Sequence, residues 1–388
     1  CYILNMEINN FGIHDKVEVD GRELHIHTGT LIQKKKIVTE VFEKGAFLTS
    51  REHTFDLRGE SRPVNYEFLN MVIQEFHNSV IDEIEVLYRI NEKLNQFKHP
   101  LSHFQLGTLF LKRSLFKEAT RQYRKAVSLD PGFIRAHIGL GVSYLKSLRH
   151  EKALACFKQA IKLGDNYPDL LNYAGLACLF LNRFEKATAY FKKAIEINPD
   201  FSECQFNLGV ALYKSALKSA KNPKVVAVPA RVILYLKHAR NLGRYQEAHW
   251  QSHIDNLLDA LNMKDHQQTV KMLEEFQLRL IDFSSAKDKI YEFFLRFLFG
   301  GNELTPETIK TYERFFRGNN GTLKGYPDYW NNLGIFNLIN SRSLFLRALS
   351  EFEKALEFAP NFKEARKNRD LIKSNENGFL ILLRAILK

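Results

Sequence analysis

Cysteine is scarce in this chain: four in 388 residues, at Cys1, Cys156, Cys178 and Cys204, with no C-x-x-C pair and no zinc spacing. A disulfide framework is therefore not expected, and the three later cysteines read as small buried hydrophobes. No stretch of 18 apolar residues occurs, so no segment is expected to span a membrane as a helix. The Walker A loop, H-E-x-x-H, G-x-S-x-G and the dinucleotide fingerprint are all missing. Acidic residues are scattered, with no carboxylate pair that a fold would clearly bring together. No catalytic residue, cofactor or small-molecule substrate is expected, and an enzyme is not. Nor is there an aromatic and basic platform for bases, which disfavours direct nucleic-acid binding. Negative charge is also short: 44 acidic residues face 56 basic ones, a net charge of +12. That surplus favours an acidic partner, an anionic membrane surface or nucleic acid, beside the plainer reading of solvated lysine-rich helices. Hydrophobic content of 45% supplies ample core, so disorder is not expected.

What is present is a pattern recurring three times at a spacing of 34 residues between Pro100 and Phe201. Leu106-Gly107, Leu140-Gly141 and Ala174-Gly175 hold the same place in each copy. Twelve residues after each glycine stands an alanine (Ala119, Ala153, Ala187), then an aromatic (Tyr123, Phe157, Phe191), then another alanine (Ala126, Ala160, Ala194). Leu106, Gly107 and Phe110 share one stripe of a first helix, and Ala119, Tyr123 and Ala126 one stripe of a second. Glycine and alanine let the two backbones approach, and the aromatics fill the space beside them. One such hairpin cannot cover both its apolar faces, so copies must stack. Pro131 and Pro199 end the second helices of copies one and three, since proline lacks an N–H and disfavours helical geometry before it.

These residues resemble the tetratricopeptide-repeat (TPR) family, whose 34-residue pattern is W-x2-L-G-x2-Y, A-x3-F, A and P. A fourth copy starts at Leu208-Gly209, but Val232, Leu236 and Ala239 of its second helix arrive 11 residues late, an insertion near 218–229. A late copy runs Trp330, Leu333, Gly334, Ala348, Phe352, Ala355, Pro360 and Phe362, with two extra residues between its expected helices. The resemblance implies a mostly α fold, a TPR-type α-solenoid (right-handed superhelix), with a small N-terminal β-rich module. In families of this fold the fifth, ninth and twelfth places of each repeat line a concave groove. They map to Phe104, Thr108 and Leu111, to Ile138, Val142 and Leu145, to Asn172, Leu176 and Leu179, and to Phe206, Val210 and Tyr213. So apolar a groove suits an amphipathic helix or an extended apolar peptide. The lysine and asparagine clamp of chaperone-docking members is missing. The alternative is a groove filled from within, by the terminal segment Phe379 to Leu387 or by the inserted loop.

Taken in order, residues 1–62 are expected to form the β-rich module, 63–99 a long connecting helix or helix pair, and 100–243 the first four repeats. Degenerate helical repeats follow over 244–325, then a repeat over 326–362 and a capping helix with an apolar tail over 363–388. Asp20-Gly21 and Lys44-Gly45 mark two hairpins in a sheet of four or five strands. His25 and His27 fall on one strand face, and His14 or His53 could join them as a metal ligand. The simpler reading is exposed or hydrogen-bonded strand histidines, with no metal. Lys34-Lys35-Lys36 reads as a charged edge or turn. Val64 to Phe97 is either an unbroken coiled-coil seam, hence a dimer, or two helices broken near His77-Asn78-Ser79 that pack on the sheet and first repeat. Packing is favoured because Tyr66, Phe68 and Tyr88 widen the stripe beyond a seam. Thr305-Pro306 is a helix start, and 318–321 a loop. An opening Cys1 is read as truncation or a chosen start rather than a lipidated mature end.

The expected function is a non-catalytic scaffold or adaptor holding a partner protein by an amphipathic or apolar segment. The composition looks like that of an AT-rich bacterium, where similar proteins serve envelope, secretion and flagellar assemblies. A basic tether to anionic lipid or nucleic acid is the alternative, and peripheral membrane contact stays open, as does oligomeric state. Localisation leans cytoplasmic, with a periplasmic or envelope-associated site as the alternative.

Overall fold

The computed structural model describes residues 12–31, 36–54, 66–164, 167–240, 248–281, 288–300, 306–318, 327–363, 365–374 and 378. The readings at Cys1, Lys34-Lys35, Thr305, 319–321 and Phe379 to Leu387 lie outside them, as do the side chains of Tyr66 and Trp250. The chain divides into two compact units, Cys1–Leu115 with Ser285–Lys388, and Phe116–Ser284. The fold is mostly α: a small sheet and helices make up the first unit, and helical hairpins stack in the second.

In the first unit, β1 (Gly12–Val19), β2 (Arg22–Leu31), β3 (Lys36–Glu43) and β4 (Ala46–Thr54) form an antiparallel meander in that order. Both expected hairpins are there. Asp20 and Gly21 turn with φ of 52° and 70°, and Lys44 and Gly45 with 50° and 75°. Two consecutive left-handed residues match the twist of the flanking strands. One face buries Val17, Leu24, Ile26, Ile37 and Val41. Over it lies α1 (Tyr66–Leu94), whose Leu69 and Ile73 pack on Ile37.

The break expected near His77-Asn78-Ser79 does not occur. α1 is one helix of 29 residues, and His77 is fully buried against the sheet. Its ring is hydrogen-bonded to the Thr28 hydroxyl at 2.7 Å and the Asp15 carboxylate at 3.0 Å. A polar side chain that finds partners in the sheet gives the backbone no reason to open. Further along, α1 meets α2 (Pro100–Lys112), where Tyr88 packs edge-on against Phe110 at 5.5 Å.

Also in this unit are α12 (Asp288–Phe299), α13 (Pro306–Gly318) and α14 (Pro327–Phe358), which share a core of Phe293, Ile309, Tyr312 and Phe336. Two helices were expected in 327–358, but α14 is one, 32 residues long. Its middle, Asn340-Ser341-Arg342-Ser343, holds neither glycine nor proline to stop it. A further helix covers 365–374.

The second unit holds α3 (Phe116–Leu129), α4 (Ile134–Lys146), α5 (His150–Lys162), α6 (Pro168–Phe180) and α7 (Phe184–Ile197). They are followed by α8 (Ser202–Ser219), a short 3-10 turn at Pro223–Val225, α9 (Ala230–Ala239), α10 (Ala248–Asn262) and α11 (His266–Leu280). From α3 to α9 each helix packs on the next in chain order, as stacked hairpins require.

Candidate functional site

Glycine sets how tightly the hairpins close. A Cβ added at Gly141 would lie 2.4 Å from a ring carbon of Phe157, and one at Gly175 2.5 Å from Phe191. Between stacked hairpins, Gly139 meets Tyr123 of α3 in the same way, at 2.5 Å. The rings therefore rest on bare backbone, and no other residue fits beneath them. Each turn is closed by one left-handed residue, Leu148 at φ 58° and Asn182 at φ 55°. The next amide then reaches back into the helix, Arg149 N–H to the Tyr144 carbonyl and Arg183 N–H to the Cys178 carbonyl, both 2.8 Å. That is a Schellman closure. Ser114 takes the equivalent place in the first copy, with φ 57°.

All twelve expected groove residues are buried. In the first unit Phe104, Thr108 and Leu111 are no more than 6% exposed. Phe104 packs edge-on against Tyr291 of α12 at 6.3 Å, and Lys112 reaches Asp288 at 2.9 Å. Arg113 is held by Glu83 of α1 and, at 3.6 Å, by Glu292 of α12. Burial alone would push the Glu292 carboxyl up, but Lys289, Arg113 and Arg296 outweigh it and hold it at about 2.

In the second unit Ile138, Val142, Leu145, Leu176, Leu179 and Val210 belong to the core. α11 lies along α8. Phe276 meets Phe206 edge-on at 5.7 Å, and the Tyr213 hydroxyl is 2.6 Å from His266 Nδ1. Buried amides join three helices: Gln277 donates to Asn207 at 2.8 Å, and Asn207 donates to Asn172 at 2.9 Å. Lys214 pairs with Glu274, and Lys146 donates to the Leu278 carbonyl at 3.5 Å. The helical occupant of this face is thus a helix of the chain itself. It is not the inserted loop, where Val225 is 76% exposed; the terminal segment Phe379 to Leu387 lies outside the described residues. Sequence periodicity identifies α11 as amphipathic, but partners 70 residues apart leave no local signal of where it docks.

A cleft does remain open where the turn after α6, the start of α7 and the end of α8 converge. One part, of about 350 Å³, is lined by Asn182, Phe184, Lys214, Leu217, Lys218 and Val270. An adjoining part adds Arg183, Glu185, Lys186, Ser215 and Ser219. The ammonium groups of Lys214 and Lys218 stand 5.8 and 5.6 Å from the centre of the Phe184 ring. Lys214 is paired with Glu274 and Arg183 with Glu151, so the cationic character of the cleft around its aromatic floor comes from Lys186 and Lys218 against Glu185. It was missed in the sequence because its lysines stand among many on exposed helix faces. The i, i+4 spacing of Lys214 and Lys218, one helical turn apart, is the signal that could have singled them out.

Cys178 and Cys204 are buried, as expected, whereas Cys156 is only partly so. Cys156, Cys178 and Cys204 are free, and burial pushes their thiols up, to about 11 for Cys156 and about 12 for Cys204. On the outer face of the sheet, His14 rather than His53 joins His25 and His27. The signal was in the hairpin: a turn at 20–21 pairs Val19 with Arg22 and hence His14 with His27. Among the described residues no helix is long and apolar enough to cross a membrane.

The tetratricopeptide-repeat family pattern matches residues 168–201 and, in a second version, residues 104–170. No curated protein matches the chain. Among solved structures it is similar to YrrB, described as a TPR protein with an unusual peptide-binding site. That match has 16% identity and a TM-score of 0.31, over 49% of this chain and 95% of that one. It is also similar to MamA, at 21% identity and a TM-score of 0.34, over 45% of this chain and 89% of that one. PilF of Pseudomonas aeruginosa matches at 19% identity and a TM-score of 0.31, over 60% of this chain and 95% of that one.

Proposed function

We propose, from the premise that this chain is a tetratricopeptide-repeat protein, that it is a non-catalytic scaffold holding a partner protein through the cationic cleft of its second unit. TPR proteins bind peptide or protein partners, and that coarse role follows from the family. The observation that carries the finer reading is the Phe184 ring flanked by Lys214 and Lys218 beside Arg183 and Lys186. Such a floor suits an amphipathic segment with carboxylates along one side and an apolar anchor on the other. Phe206 and Tyr213 support this indirectly, by holding α11 against α8, which lines the cleft. The assembly served is, on the family resemblance and the Lys, Phe, Ile and Asn-rich composition, a bacterial envelope, secretion or flagellar one.

The test is in-cell crosslinking and affinity capture with the native chain and a Lys186→Glu/Lys218→Glu variant. Both side chains are exposed, so the fold should survive. A small partner set captured by the native chain and lost by the variant is the expected result. Unchanged capture would move the binding site elsewhere. A second reading, a basic tether to anionic lipid or nucleic acid, is favoured by the net charge of +12. It predicts a steep loss of binding to anionic vesicles or DNA between low and moderate salt.

A further inference from the structure

The outer face of the β1–β2 hairpin gathers three imidazoles. His14 stands directly across from His27 in the ladder, and His25 is two residues from His27 on the same face. One nitrogen of each ring lies within 4.8 Å of the others. His14 Nε2 and His25 Nδ1 are 3.2 Å apart. Two nitrogens bound to one tetrahedral Zn2+ at about 2.0–2.1 Å are themselves separated by about 3.4 Å. The closest pair already has that spacing, and a small rotation of the exposed His27 ring brings in the third.

The surroundings orient these rings as a metal site requires. The Glu23 carboxylate lies 2.6 Å from His25 Nε2 and accepts the hydrogen bond of that N–H, which leaves the Nδ1 lone pair facing His14. A carboxylate behind a ligating histidine fixes tautomer and orientation and strengthens the nitrogen as a donor. Lys16 holds Glu23 in turn, at 3.1 Å. His27 lies at right angles to Phe42, with centroids 5.4 Å apart. Beneath the rings the backbone is rigid: the hairpin turn sets the register, and α1 buries Leu24 and Ile26 on the opposite face. His53, the remaining strand histidine among the described residues, instead packs against Phe76 of α1 at 5.3 Å.

We propose that His14, His25 and His27 form a three-histidine site for a divalent transition-metal ion of the Zn2+ type. Glu23 acts behind His25, and the fourth coordination position opens to solvent. Imidazole nitrogens select Zn2+ and its neighbours over Mg2+ or Ca2+, which take oxygen ligands. The site does not depend on the cleft of the second unit.

Isothermal titration of the full chain with Zn2+, and with Mg2+ as control, tests it. The expected result is one Zn2+ per chain at this site, with affinity reduced at least tenfold by His14→Ala or His27→Ala and unchanged by His53→Ala. Glu23→Gln should weaken binding roughly tenfold without abolishing it. The visible spectrum of bound Co2+ should show tetrahedral coordination that disappears in the His14→Ala/His27→Ala variant. The altered side chains are exposed, and circular dichroism checks that each variant is folded. Zn2+ binding by the native chain no tighter than by the double variant would overturn the proposal. Equal loss in His53→Ala would do the same.

Discussion

Under Phe157 and Phe191 the backbone glycines Gly141 and Gly175 leave no room for a single methyl, whereas a Cβ on Gly334 of α14 would meet nothing within 4 Å. The motif around these glycines reads almost alike. What differs is the turn. Copies two and three stop the first helix at Leu148 and Asn182 in left-handed geometry, and the second helix folds back with its phenylalanine over the glycine. α14 never turns, so Phe352 stays on the same helix as Gly334. The fourth copy lies between: Gly209 is met by Val232 and the aliphatic stem of Arg231, and Ala216, 34 residues after Asn182, lies inside α8. A repeat is therefore made by its turn as much as by its helix stripes.

The comparison predicts effects that differ in size and in sign. Phe191→Ala should cost about 3–5 kcal/mol in chemical denaturation of the second unit, and Phe352→Ala less than half of that, because Phe352 is only half-buried. Equal losses would mean that the last copy packs as the others do. Val142→Lys, at a position with no exposure, should likewise unfold the second unit rather than only weaken partner capture.

Where glycine and aromatic do not knit helices together, charge does. Glu292 is held at about 2, below the ordinary 4.5. A depressed carboxyl stabilises the fold above its unfolded pKa, and that stability fades as the pH falls from about 4.5 towards 2. The loss is roughly 3 kcal/mol. Melts across that window should show it, and Glu292→Gln should flatten the acid slope. A variant as acid-sensitive as the native chain would remove Glu292 as the cause.

Smaller effects separate the glycines. Gly175→Ala should destabilise by about 1–2 kcal/mol, overpacking outweighing the gain in helix propensity, while Gly334→Ala should stabilise by up to about 1. At the turn position, Leu148→Gly should add roughly 1 kcal/mol by relieving a left-handed leucine that is 64% exposed, and Ala216→Gly should remove about as much. Thermal melts of the four variants give the signs directly.

The repeat stack was legible because its causes are local and periodic: glycine, alanine and aromatic at fixed intervals, with the hairpin turns of the sheet equally explicit. The failures have one physical origin. Whether Ser341 ends a helix depends on what the following segment can pack against, and nothing near it says so. The expected groove positions are buried, but the docking of α11 beside Phe206 and Tyr213 rests on partners far apart in the chain. His77 looked like a helix breaker because its partners, Thr28 and Asp15, belong to strands some fifty and sixty residues earlier.

The seating of α11 along α8 also sets a threshold for anything arriving from outside. A segment tethered to its own seat behaves as though present at millimolar concentration. A free helix making the same contacts at about micromolar concentration would hold that face roughly one time in a thousand. Peptide screens at such concentrations would miss any ligand that binds this face no more tightly than α11 does, and a chain ending before His266 would be the one able to answer.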